Sequence, residues 1–170
     1  MRPLASGKAL QASSLLPAHL VVESSYPIAS NNSLYSRRLN MSKTILITGA
    51  SSGFGRDTAE TLRHVGHSVY ASMRGVQGKN REAAEALRKL GVKTVELDVS
   101  DDTSVEVGVE TVLAEADKID VLVNNAGIAS VGVTEAFTTQ QAKAIFDANV
   151  IGLLRVTRAV LPSMRRSTMA

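Results

Sequence analysis

One glycine-punctuated stretch, KTILITGASSGFGR from Lys43 to Arg56, constrains the fold of this chain more than any other. Thr44-Ile45-Leu46-Ile47 is an unbroken β-branched and aliphatic run, as a parallel strand covered on both faces requires. Gly49, Gly53 and Gly55 follow at once, and Asp57, Thr58, Ala59, Leu62 and Val65 then continue at helical spacing as far as Gly66. A glycine has no Cβ, so the chain can turn tightly there and bring its N–H groups close to a ligand, at the positive end of the helix that follows. A strand, a glycine turn and a helix in that order make a cradle for pyrophosphate, and the predicted ligand is a nucleotide.

Composition narrows the setting. A length of 170 residues is room for one domain, and 44% hydrophobic against 21% charged residues is a globular composition, neither disordered nor membrane-like. With no cysteine there is no disulfide framework, thiolate zinc site or cysteine nucleophile, no metal site is expected, and a reducing, cytoplasmic setting carries no penalty. The net charge of +3 sits wholly in residues 1–40, where Arg2, Lys8, Arg37 and Arg38 face only Glu23. The remainder is neutral, which leaves no basic stripe for nucleic acid.

Residues 1–40 show no sustained period, many serines and three scattered prolines, Pro3, Pro17 and Pro27. Their apolar patch from Leu15 to Val22 is too short and interrupted to span a bilayer. The composition fits a mitochondrial or plastid targeting segment, and Met41-Ser42-Lys43 opening onto the first strand fits an overextended start or a disordered leader. On either account the leader is set apart from a domain over 41–170.

Beyond the first helix, Ser68 to Ser72 reads as a second strand ending at Met73-Arg74. Roughly 20 residues past a glycine turn, an acid at a strand end would bind a ribose 2′-hydroxyl in an NAD enzyme. Arg74 stands there instead, and a guanidinium meets a 2′-phosphate with two parallel charged hydrogen bonds. The expected cofactor is NADP rather than NAD, with a solvated surface arginine as the alternative. Gln77 to Leu90 reads as an amphipathic helix capped by Gly91, Val92 to Leu97 as a third strand, and Ser100-Asp101-Asp102 as the start of a helix to about Asp117. Ile119 to Val123 is a fourth strand. A long helix from Thr139 to Arg165 follows, with Thr138 and Gln141 spaced as a capping box. Ala142, Ile145, Leu153, Val156 and Val160 share one face of it, with Asn149 at its middle as an amide needing partners.

Two motifs in this framework, T-G-x-x-x-G-x-G from Thr48 to Gly55 and Asn124-Asn125-Ala126-Gly127 at the end of the fourth strand, resemble the classical short-chain dehydrogenase/reductase family. Phe54 stands where that family usually carries isoleucine and stays apolar. The resemblance covers about residues 43 to 166 and implies a Rossmann-type α/β fold, a doubly wound parallel sheet truncated after the fourth strand and the long helix. It assigns Gly49, Ser51, Gly53, Phe54 and Gly55 to pyrophosphate, Arg74 to the 2′-phosphate, Asp98 with Val99 to adenine, and Asn125, Ala126 and Gly127 to ribose. Asp98 has a second reading, as a helix-starting residue. By the same resemblance Asn149 is the catalytic-tetrad asparagine, which distorts its helix and links an active-site lysine to water; an asparagine satisfied by backbone is the alternative.

The implied reaction passes hydride between the cofactor and a carbonyl or secondary alcohol. A complete protein of this kind would be a homo-oligomer acting on a small molecule, with neither nucleic acid nor membrane as partner. The family's serine and Y-x-x-x-K are missing: Tyr26, Tyr35 and Tyr70 are followed four residues later by Ser30, Leu39 and Arg74. The expectation is a cofactor-binding portion, inactive alone, from a truncated or interrupted reading frame, with strand four as an open edge and one side of the last helix uncovered. A noncatalytic nucleotide-binding or interaction module is the alternative.

Overall fold

In the computed structural model, residues 42–168 are described, and the expected leader over 1–40 lies outside them. The elements run β1 (Thr44–Ile47), α1 (Gly53–His64), β2 (Ser68–Met73), α2 (Arg81–Lys89), β3 (Lys93–Glu96), α3 (Asp102–Ala116) and β4 (Val121–Val123). After a short 3₁₀ turn at Thr134–Ala136 come α4 (Thr139–Phe146), a π-turn (Asp147–Ile151) and α5 (Gly152–Thr168). Every strand pair is parallel and the order is β3-β2-β1-β4, with Leu46 opposite both Tyr70 and Leu122.

The period-2 alternation of the strands divides the core into two layers. Ile45, Ile47, Val69, Ala71 and Met73 face Ala59 of α1 and Ala84 and Leu87 of α2. Leu46, Tyr70 and Val95 face Val105, Val109 and Val112 of α3 and Val156 and Val160 of α5. Both faces of the sheet are covered, which is why β1 reads as a continuous apolar run. Leu46, Ile47 and Tyr70 are fully buried, each contributing about 1.5–3 kcal/mol of apolar burial. The sheet is therefore doubly wound, with β1 inside it and the chain's winding reversing between β1 and β4.

Local chemistry sets the element ends. The Asp101 carboxylate accepts from Ser104 N at the start of α3, and Thr138 with Gln141 forms the expected capping box on α4. Asp120 fixes the entry to β4 by accepting from Thr44 N at 2.8 Å and pairing with Lys118 at 2.9 Å. Desolvation works to raise the Asp120 pKa, but the Thr44 amide and Lys118 outweigh it and hold the carboxyl below its ordinary value. At the start of β3, Lys93 donates to the Tyr70 hydroxyl at 2.7 Å and pairs with Glu115, and both contacts raise its pKa.

Expectations for the second and last helices need correction. The second helix starts at Arg81 rather than Gln77, because residues 75–80 are held in turns by other partners, and Leu90 is exposed instead of sharing its apolar face. The last helix is distorted at Asn149, as the resemblance implies, but the π-turn there adds a residue and rotates the buried stripe, so that Ala148, Gly152, Val156 and Val160 point inward. Leu153 is consequently exposed, and Asn149 lies on the exposed side rather than at the centre of a buried face. Phe146, Val150, Ile151 and Leu154 are exposed with it, and β4 forms one edge of the sheet with its three residues half-buried.

Candidate functional site

The crevice at the carboxyl ends of β1 and β4 is where an open α/β sheet receives a ligand, and here the three glycines of the turn serve three different needs. Gly49 adopts φ +67°, and a Cβ on it would lie 2.6 Å from Ala126 Cα. Gly55 must be small because a Cβ there would run into Asn125 Nδ2 and come within 2.6 Å of the Gly49 carbonyl oxygen. Gly53 adopts φ +55° with nothing within 4 Å of its Cβ direction, so the space before the first turn of α1 is open.

A hydrogen-bonded brace holds β4's end against this turn. Thr48 Oγ1 accepts from Asn125 N and Ala126 N, both at 3.0 Å, and Thr48 is buried. Asn125 Nδ2 returns two bonds, to Thr48 O at 2.9 Å and Gly49 O at 3.0 Å. The side chain of Asn125 is thus spent on the shape of the turn.

Over the brace lies an open cavity of about 490 Å³. Gly49, Ser51, Phe54, Gly55, Arg74, Asp98, Val99, Asn125, Ala126 and Gly127 all line it. Gly53 does not line it, although its neighbours Ser52 and Phe54 do, and neither does Asn149. Arg74 Nη1 lies 3.6 Å from Asp98 Oδ2 on one flank. Asp98 also accepts from Ser100 N at 2.9 Å, so it faces the cavity and shapes the approach to α3 together; the helix cap itself is Asp101.

Asn149 Oδ1 accepts from Ile128 N at 2.8 Å while its Nδ2 donates to Ile128 O at 2.9 Å. Both ends of the amide clamp one backbone residue, as the structural alternative for this side chain requires, and they do so at the distorted π-turn. A Cβ on Gly127 would be 3.2 Å from Asn149 Oδ1, so the clamp also needs a small residue there.

Several lining residues carried no role in the sequence, among them Met73, Asn80 and Asp147. Asn80 precedes the first residue of α2, where asparagine is a favoured cap, and that preference was the one signal available. Asp147 is held by Arg155, whose guanidinium also reaches Asp102 at 2.9 Å and the Val99 carbonyl at 3.0 Å. The Asp147 bond, with the nearby charges of Asp147 and Asp102, raises the Arg155 pKa against the effect of its burial. Arg155 thereby ties the π-turn to the Val99 side of the cavity. Among the described residues no helix is long and apolar enough to cross a membrane, and no group of three His, Cys, Asp or Glu side chains is placed to hold a metal.

The family model for short chain dehydrogenase matches residues 43–169. The chain belongs to the short-chain dehydrogenase family. Among its relatives is a 3-ketodihydrosphingosine reductase of Bacteroides thetaiotaomicron, 39% identical over 123 residues, which are 72% of this chain and 42% of that protein. Among solved structures, a short-chain dehydrogenase from Streptomyces avermitilis superposes with a TM-score of 0.68 at 38% identity, over 75% of this chain and 46% of the other. An NADPH-bound carbonyl reductase from chicken fatty liver superposes at 0.65 with 26% identity, over 72% and 48%. This short-chain dehydrogenase chain therefore spans less than half the length of these relatives. Its parallel sheet and NAD(P)-type oxidoreductase family are those expected from the glycine turn and the NNAG motif.

Proposed function

We propose that residues 41–170 form the cofactor-holding domain of an NADP(H)-dependent oxidoreductase that interconverts a carbonyl and a secondary alcohol. The observation that carries this reading is Arg74 at the end of β2, lining the same cavity as the glycine turn with no acid at that strand end. The cavity fits a dinucleotide on its own features: Ser51, Ser52, Phe54 and Gly55 at the start of α1 line it, and a guanidinium stands on its flank. When bound, the nicotinamide ring supplies or accepts hydride at C4.

The chain's residues have the following roles in that reading. Gly49, Ser51, Gly53, Phe54 and Gly55 take the pyrophosphate through backbone amides and shape, and Arg74 takes the 2′-phosphate. Asp98 and Val99 border adenine, Asn125, Ala126 and Gly127 border the ribose, and Asn149 fixes the Ile128 backbone beside the reacting region. A cytoplasmic, homo-oligomeric whole protein with a small-molecule substrate belongs to the same reading.

Fluorescence titration with NADPH and NADH tests the cofactor assignment. NADPH is expected to bind at least about tenfold more tightly, the worth of a charged hydrogen-bonded pair, and Arg74→Ala is expected to erase the difference. Comparable affinities, unchanged in Arg74→Ala, would overturn it.

A second reading, a noncatalytic nucleotide-binding or interaction module, is favoured by the exposed apolar side chains Phe146, Val150, Ile151, Leu153 and Leu154. Both readings expect no turnover from this chain alone. NADPH oxidation by it with any simple ketone or aldehyde would remove the second reading and require an acid other than the missing tyrosine.

A further inference from the structure

The loop that carries Arg74 is held from beneath by a carboxylate outside the cavity. Glu96, at the end of β3, accepts from Gly75 N through Oε1 at 2.6 Å and from Val76 N through Oε2 at 2.7 Å. On the other side Asn80 Nδ2 donates to the Arg74 carbonyl at 2.6 Å, while the Gly75 carbonyl accepts from Gly78 N at 2.9 Å and Asn80 N at 3.0 Å. Gly75 sits at φ +63°, the left-handed conformation that turns the chain back over Glu96. The backbone on either side of the Arg74 guanidinium is therefore fixed. Glu96 does not line the cavity, so it acts on a ligand only through this loop.

We propose that Glu96 is a positioning residue for cofactor selection: by gripping the amides of Gly75 and Val76 it aims Arg74 at a ligand carrying a phosphate on the adenosine 2′-oxygen. The proposal rests on the NADP reading of Arg74 and adds a residue to it. It also makes a counterintuitive demand. A carboxylate near a phosphate site repels the phosphate, so on charge alone removing Glu96 would tighten binding. Positioning requires the reverse, because a charged acceptor that holds two amides is lost and the arginine's backbone is released.

The test is calorimetric titration of the full chain with adenosine 2′,5′-bisphosphate and with 5′-ADP, which need no turnover. Glu96→Gln keeps the side chain's length and one carbonyl oxygen, but it loses the charge and the second acceptor. It is expected to weaken the bisphosphate about tenfold while 5′-ADP changes by less than about twofold. Glu96→Asp keeps the charge, withdraws it by one methylene, and is expected to show the same selective loss, which guards against a Glu96→Gln protein that fails to fold. Bisphosphate affinity that stays the same or rises in these variants overturns the proposal, as does an equal loss of both ligands in Glu96→Asp. Arg74→Ala separates the two layers of argument. If that variant leaves bisphosphate binding unchanged, the NADP reading itself falls; if it weakens binding while the Glu96 variants do not, only the positioning role falls.

Discussion

Gly55→Ala is expected to destabilise the fold by about 3 kcal/mol, the upper end of the cost of forcing atoms into a filled core. Its Cβ would meet Asn125 Nδ2, the Gly49 carbonyl oxygen at 2.6 Å and Ala50 Cα at 3.1 Å, two of them backbone atoms that cannot swing aside. Gly53, two residues earlier in the same motif, should behave in the opposite way. Its Cβ direction is empty, so Gly53→Leu bears only the left-handed backbone cost of about 1–2 kcal/mol. On the cradle reading the new side chain adds bulk between Ser52 and Phe54, which line the cavity, and displaces a pyrophosphate from charged hydrogen bonds worth roughly ten- to hundredfold in affinity. Thermal melts paired with NADPH titrations read both numbers. A well-folded Gly53→Leu protein that retains the nucleotide as tightly as the parent would defeat the cradle assignment.

Thr48→Val should have the next largest effect. Valine fills nearly the same volume, but it takes away the oxygen that accepts from Asn125 N and Ala126 N, leaving two amides beneath the cavity without that acceptor. At about 1 kcal/mol for each stranded donor, the lower end of the usual range, a total loss of about 2 kcal/mol is expected, along with weaker nucleotide binding as the NNAG segment loosens. Thr48→Ser keeps the oxygen and should lose only about 0.8 kcal/mol for the missing methyl. Urea midpoints decide the matter: equal losses in the two variants would mean that the hydroxyl contributes nothing.

The sequence announced its elements wherever their cause was local. The apolar run of β1, the glycine turn, the capping box at Thr138 and the cap at Asp101 all depend on residues within a few positions of one another, and each is found in place. What escaped was decided by distant partners. Residues 77–79 look helical in isolation, yet the loop before α2 is held by Glu96, 21 and 20 positions beyond the amides that it captures. Leu153 fits a 3.6-residue stripe that runs on through Asn149, and the π-turn at Asp147–Ile151 breaks that register. The role of Arg155 was invisible for the same reason: two of its partners, Asp102 and Val99, lie 53 and 56 positions earlier. Asp98 kept two readings in the sequence; its side chain lines the cavity and accepts from Ser100 N, while the helix cap is Asp101.

The brace between Thr48 and the NNAG segment links residues 76 to 78 positions apart. A chain emerging from a ribosome presents the glycine turn long before Asn125 and Ala126 exist to shape it, and closing so long a loop is slow compared with forming α1 or pairing β1 with β2. On the nucleotide reading, competence to hold the ligand is therefore acquired at a single event, when the fourth strand docks, rather than growing gradually as each helix is added.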